Sequence, residues 1–125
     1  MKYSRDDKRG EDATAKPLRT IEALAPAELA RRLAAGEDFV LLDVREPREL
    51  ALCQLPGSTA VPLGELERKL PDLDPERPTV CICHHGVRSA HAASRLAAAG
   101  FRSVFNLSGG IERWARDVDP SMRRY

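Results

Sequence analysis

Thr79-Val80-Cys81-Ile82-Cys83-His84-His85-Gly86-Val87-Arg88-Ser89 opens as an apolar run, turns on a glycine and continues as a helical pattern to Ala99. A continuous apolar run without alternation predicts a strand buried on both faces of a parallel sheet. In the helix that follows, Ala90, Ala93, Leu96 and Ala97 are expected on one face, with Arg88, His91 and Arg95 on the other. Working outward, Phe39-Val40-Leu41-Leu42 is a second such run, stopping at Asp43, and Val104-Phe105-Asn106-Leu107 is a third. Leu18 to Ile21 reads as a short edge strand. Pro26 suits the first turn of a helix with Glu28 near its positive end, an apolar stripe of Leu29, Ala30 and Leu33, and a stop at Gly36. Further helices are predicted over 46–52, 63–70 and 111–117. Strands alternating with helices of this length give an α/β fold with a mostly parallel central sheet flanked by helices.

The bulk properties set outer bounds. A chain of 125 residues, 42% apolar and 31% charged, is sized for one soluble globular domain. Lys plus Arg number 20 against 19 for Asp plus Glu, so charge offers no argument for nucleic acid or an acidic membrane surface as partner. No apolar run approaches the roughly 20 residues that span a bilayer. Residues 1–16 are charged and nearly devoid of apolar side chains, so a disordered tail is expected there, with the folded domain over 17–125. That tail has no secretory apolar stretch, and a cytoplasmic address is the expectation. Three cysteines, Cys53, Cys81 and Cys83, are an odd and sparse set, unlike a disulfide framework.

In open parallel sheets, ligands gather beyond the carboxyl ends of the strands. Two of the clearest runs end in reactive residue types, Asp43 with nearby Arg45, and Cys83. A cysteine just before a helix meets unsatisfied N–H groups and the positive end of the helix dipole. Both favour thiolate over thiol, and the same groups can cradle an anion attached to the sulfur. Gly86 permits the tight curvature such a cradle needs. His84, His85 and Arg88 add positive potential. The chemistry implied is nucleophilic attack by cysteine on an anionic electrophile. Cys81, inside the apolar run, and Cys53, with no charged activator beside it, read instead as small buried hydrophobes.

Cys83-x-x-Gly86-x-Arg88-Ser89 resembles the active-site loop of rhodanese domains. Leu42-Asp43-Val44-Arg45-Glu46-Pro47 with Glu49 resembles the family's first signature, and Leu55-Pro56-Gly57-Ser58 with Val61-Pro62-Leu63 the segment after it. Gly100-Phe101 and Val104, then Asn106-Leu107-Ser108-Gly109-Gly110-Ile111 with Trp114, resembles its C-terminal signature. The likeness covers roughly residues 18–118. The ending, Trp114 to Ser121 and then Tyr125, is similar to rhodanese modules fused to adenylating enzymes that activate ubiquitin-like sulfur carriers.

The resemblance implies a three-layer rhodanese-like fold and a sulfurtransferase without cofactor. Cys83 would take sulfane sulfur from thiosulfate or a protein persulfide and pass it to a thiol or cyanide. The persulfide would rest among the N–H groups of His84, His85, Gly86, Val87 and Arg88. Arg45 matches the family arginine placed near the donor anion, against the plain alternative of a surface ion pair with Glu46 or Glu49. Arg88 is expected to bind substrate or steady the loop; Asp43 and Ser89 are expected to support it. Two positions depart from the family pattern: Cys53-Gln54 stands where Gly-His is common, and His85 replaces a base found in some thiosulfate-active relatives. A neutral imidazole binds a dianion less strongly than a fixed cation, which weighs against thiosulfate.

Other readings compete. A non-catalytic persulfide-carrying or docking module in a larger sulfur relay would share most of these motifs. Cysteine phosphatases and arsenate reductases use a related loop, but phosphatases resemble this arrangement with five residues between Cys and Arg. Here there are four, His84 to Val87, and Ser89 stands where the arginine would be. Metal binding by Cys81, Cys83, His84 and His85 is not expected, because neighbours on an extended strand point to opposite faces and no second ligand pair has a familiar spacing. A dithiol at Cys81 and Cys83 fails on disulfide geometry.

Overall fold

A computed structural model describes residues 21–125. The expected tail over 1–16, and Leu18 to Thr20 of the expected edge strand, lie outside the described residues. Five parallel strands form one sheet in the order β1-β5-β4-β2-β3, with β1 at Ile21–Leu24, β2 at Val40–Asp43, β3 at Thr59–Ala60, β4 at Thr79–Ile82 and β5 at Val104–Leu107. The helices are α1 (Pro26–Ala34), α2 (Pro47–Leu50), α3 (Leu66–Lys69), α4 (Val87–Ala98) and α5 (Gly110–Asp117).

Every residue of β4 is buried, which explains its unbroken apolar reading. Successive side chains feed opposite faces of the sheet. Val80 and Ile82 join Leu41, Phe105 and Leu107 in a core with Leu29 of α1 and Ile111 and Trp114 of α5. Cys81 and Cys83 join Leu42, Val44 and Val104 in a second core, with Leu66 of α3 and Ala92, Ala93 and Leu96 of α4. The sheet is thus the middle of three layers. Each large apolar side chain buried in these cores contributes about 1.5–3 kcal/mol.

Local departures from expectation have simple causes. The predicted helix over 63–70 is interrupted: a 3₁₀ turn at Leu63–Glu65 precedes α3, and another at Leu70–Asp72 carries Pro71 in its first turn. The helix expected over 46–52 keeps one turn, Pro47–Leu50. The buried face of α4 is Ser89, Ala92, Ala93 and Leu96, one residue rotated from expectation, with Ala90 exposed. Alanine fits either face, and the deciding residue is Ser89, a polar side chain drawn inward by its hydrogen bonds.

The register places the site. Asp43 of β2 pairs with Ile82 of β4, and Cys81 of β4 pairs with Asn106 of β5. The carboxyl ends of β2, β4 and β5 therefore meet at one edge of the sheet, with Cys83 between the other two.

Candidate active site

Cys83 leaves β4 into a loop that ends at Gly86, the residue capping α4. Gly86 has φ of +108°, a conformation that side-chain-bearing residues rarely adopt. This turn brings the Gly86 N–H to 3.0 Å from the Cys83 sulfur. Ser89 Oγ lies 3.2 Å from the same sulfur and donates its proton to Asn106 Oδ1 at 2.6 Å. Asn106 Nδ2 in turn donates to the Gly86 carbonyl at 3.1 Å. One asparagine thus fixes the loop and the serine together. A hydroxyl carries a single proton, so Ser89 accepts from a Cys83 thiol in this arrangement and must turn from Asn106 to donate to a thiolate.

The outer side of the loop is held by α5. The N–H groups of Ile111 and Glu112 donate to the carbonyls of Cys83 and His84 at 2.8 and 3.0 Å. A trans peptide sets N–H opposite C=O, so the N–H groups of His84 and His85 face away from α5. Gly110 makes the close approach possible. A Cβ there would stand 2.4 Å from the His84 carbonyl oxygen and 2.5 Å from that of Cys83.

Around this cradle, charges come in pairs. Arg88 places two nitrogens on the Glu49 carboxylate, at 2.7 and 2.8 Å. The Arg88 guanidinium holds the Glu49 carboxyl down to about 2, against the opposing effect of burial. Arg45 is fully buried with Asp43, giving it Nε and Nη2 at 2.8–3.2 Å. Burial alone would lower the Arg45 pKa, but hydrogen bonds to Asp43 and Tyr125 outweigh it and hold the guanidinium charged. Removing either member of so buried a pair costs about 3–5 kcal/mol, because the other is left without a counter-charge.

Arg45 is thus not the surface partner of Glu46 or the Glu49 carboxylate that the plain alternative expected; it is buried, and its remaining bonds reach the backbone carbonyls of Glu49 and Cys53. Asp43 serves Arg45, through its guanidinium and its N–H, and the hydrogen bonds of its carboxylate do not run to the Cys83 loop. Of the other expected site residues, His85 and Val87 are exposed at the rim, Val87 at 72%. His84 is half-buried between two rings, His85 at a centroid distance of 3.9 Å and Tyr125 at 3.8 Å. Burial, then the charge of His85, lowers the pKa of His84. Cys81 lies in the core, where burial pushes its thiol up to about 12.

Glu49, Asn106 and Tyr125 also lie at this candidate site; each stands in a family-like segment of the sequence, but none was expected to support the Cys83 loop. Asn106 had a signal: a polar residue inside an apolar strand must find buried partners. Among the described residues, no group of three or more His, Cys, Asp or Glu side chains is placed to hold a metal ion. No helix there is long and apolar enough to cross a membrane.

The family model for the rhodanese-like domain matches residues 25–117. The chain belongs to the rhodanese-like domain family. A sulfurtransferase of Allochromatium vinosum is 36% identical over 77% of this chain and 90% of its own length. The chain also matches parts of longer proteins: 31% of rhodanese-like/PpiC domain-containing protein 12 of Arabidopsis thaliana, at 42% identity over 71% of this chain. It matches 21% of adenylyltransferase and sulfurtransferase MOCS3-1 of Zea mays, at 35% identity over 72% of this chain. It thus spans a third or less of the length of several curated relatives. Among solved structures, a rhodanese-related protein from Thermoplasma volcanium superposes with a TM-score of 0.71. The two are 32% identical, over 78% of this chain and 93% of that one.

Proposed function

We propose that this protein is a sulfurtransferase that carries sulfane sulfur as a persulfide on Cys83. The observation that carries the reading is the Cys83 sulfur at 3.0 Å from the Gly86 N–H, in a loop whose carbonyls are drawn outward by α5. Such a loop offers amide donors to a terminal persulfide sulfur, and oriented backbone donors stabilise charge without reorganising. In the first step the Cys83 thiolate attacks the outer sulfur of the donor. The donor S–S bond breaks, and its electron pair leaves with sulfite from thiosulfate, or with a thiolate from a persulfide. In the second step an acceptor thiolate or cyanide attacks the terminal sulfur. The Cys83 S–S bond breaks, the thiolate is restored, and the acceptor leaves as a persulfide or thiocyanate.

Paired charges at the site favour a persulfide donor over thiosulfate. Arg45 and Arg88 are balanced by Asp43 and Glu49, so neither of these guanidinium groups is left without a counter-charge to offer a dianion. The matches to longer proteins support a place in a relay, where donor and acceptor sulfurs are themselves carried on proteins.

The test is turnover in single cysteine variants with thiosulfate and with glutathione persulfide as donors. Cys83→Ser is expected to abolish sulfur transfer, while Cys53→Ser keeps most of it. A Cys83→Ser protein that still takes up sulfur covalently would overturn the assignment.

A further inference from the structure

Cys83, Ser89 and Asn106 form a closed ring of hydrogen bonds with Gly86, and one acceptor fixes the direction of the rest. The Gly86 carbonyl can only accept, so the Asn106 amide must turn Nδ2 toward it, at 3.1 Å. Oδ1 then faces Ser89, whose hydroxyl donates to it at 2.6 Å. With its single proton engaged there, Ser89 Oγ meets the Cys83 sulfur, 3.2 Å away, as an acceptor. The Gly86 N–H closes the ring on the same sulfur at 3.0 Å. The ring is complete when Cys83 brings a proton of its own.

A Cys83 thiolate changes that count. Two acceptors, the sulfur and Asn106 Oδ1, then face Ser89 with one proton between them. Ser89 and Cys83 are both buried, so the contest is among these groups rather than with water. Turning the amide over gives no relief, because it sets Oδ1 against the Gly86 carbonyl. Two other titratable groups feel the charge of Cys83: Arg88 of α4, whose charged form it favours, and Cys81 of β4, which burial pushes up to about 12. Among the described residues, the hydrogen bonds of the Cys83 sulfur run to Gly86 and Ser89, not to these two. A persulfide differs from the thiolate. Its charge moves to the terminal sulfur, the inner sulfur is a weak acceptor, and the Ser89 proton stays with Asn106.

We propose that Asn106 is a positioning residue that acts on Cys83 through Ser89, holding the serine proton so that the site favours thiol and persulfide over the bare thiolate. The empty cysteine is restrained as a nucleophile, and the restraint lifts once sulfur is loaded. The part played by the persulfide rests on the sulfur-transfer reading, whereas the hold on the thiolate is tested without it.

The thiolate is read at neutral pH by its ultraviolet absorbance, as the difference from Cys83→Ser. The proteins compared are the unaltered chain, Asn106→Leu, Ser89→Ala and the double variant. Asn106→Leu fills the same space without a polar atom and is expected to raise the thiolate population about tenfold, the worth of one hydrogen bond to a charged group. Alkylation of Cys83 by iodoacetamide, located by peptide mapping, is expected to rise by less, because a stabilised thiolate is the weaker nucleophile. With Ser89 already alanine, Asn106→Leu is expected to change neither reading. Asn106→Val, a better strand former, gives the same pattern where the leucine variant does not fold. A thiolate population that stays put or falls in the Asn106 variants, while the unaltered protein transfers sulfur, would overturn the proposal alone. So would a rise of equal size with and without Ser89, since loss of the Gly86 bond is common to both backgrounds. A rise that needs Ser89, with no sulfur gained on Cys83 from any donor, would uphold the hold on the thiolate and overturn the sulfur-transfer reading.

Discussion

Glu49 gathers Arg88, Tyr125 and the Glu46 N–H on one carboxylate, and its acidity follows from that company. A carboxyl at about 2 in the folded protein, against an ordinary 4.5, binds a proton more readily when the chain unfolds. Its stabilising contribution is therefore complete above about pH 4.5 and is lost as pH falls from there toward 2. Glu49→Gln is expected to flatten the acid limb of a denaturation profile taken from neutral pH downward. It should also cost about 1–3 kcal/mol at neutral pH, because Arg88 loses its counter-charge. Acid limbs that superimpose in the two proteins would contradict this account. None of it was legible in sequence, where Arg88 and Glu49 stand 39 residues apart. Cys83 was legible, because its neighbours Gly86, Arg88 and the start of α4 lie beside it in the chain. Arg45 was visible as a residue, but its burial was not, since its partners Tyr125 and the Cys53 carbonyl are brought to it only by the fold.

At the scale of elements, the loop after β4 owes its shape to the first turn of α5 as much as to its own sequence. Gly110 sits at φ +62°, and any side chain there would meet the carbonyl oxygens of Cys83 and His84. Gly110→Ala is expected to cost about 1–3 kcal/mol from backbone conformation alone, with the clash added to it. It should also lower sulfur transfer more than a stability loss of that size would in a folded sample. Gly64→Ala is the comparison, since a Cβ at Gly64 meets nothing within 4 Å. Equal effects of the two substitutions would separate the loop from α5 and contradict the reading. The strands β2, β4 and β5 were readable to within a residue because burial on both faces leaves a continuous apolar run. Two-residue β3 was not, because Thr59–Ala60 is too short to show any period. The rotation of α4 was hidden by alanines, which carry little information about facing.

For the whole molecule, the sheet order explains why a chain with nearly balanced charge can focus chemistry at one edge. β4 lies between β2 and β5, so Cys83 emerges with the Asp43–Arg45 pair on one side and Asn106 on the other. The convergence of β2 and β4 was legible from runs that stop at Asp43 and Cys83. Its charge balance was not, because the pairing of Arg88 with Glu49 exists only once the strands are ordered. The most direct test of the account is intact-protein mass after incubation with glutathione persulfide, followed by location of the modified residue by peptide mapping. One added sulfur atom per chain is expected, on Cys83, removed by cyanide with release of thiocyanate and absent from Cys83→Ser. Sulfur found on Cys53 instead, or no added sulfur from any persulfide or thiosulfate donor, would contradict it.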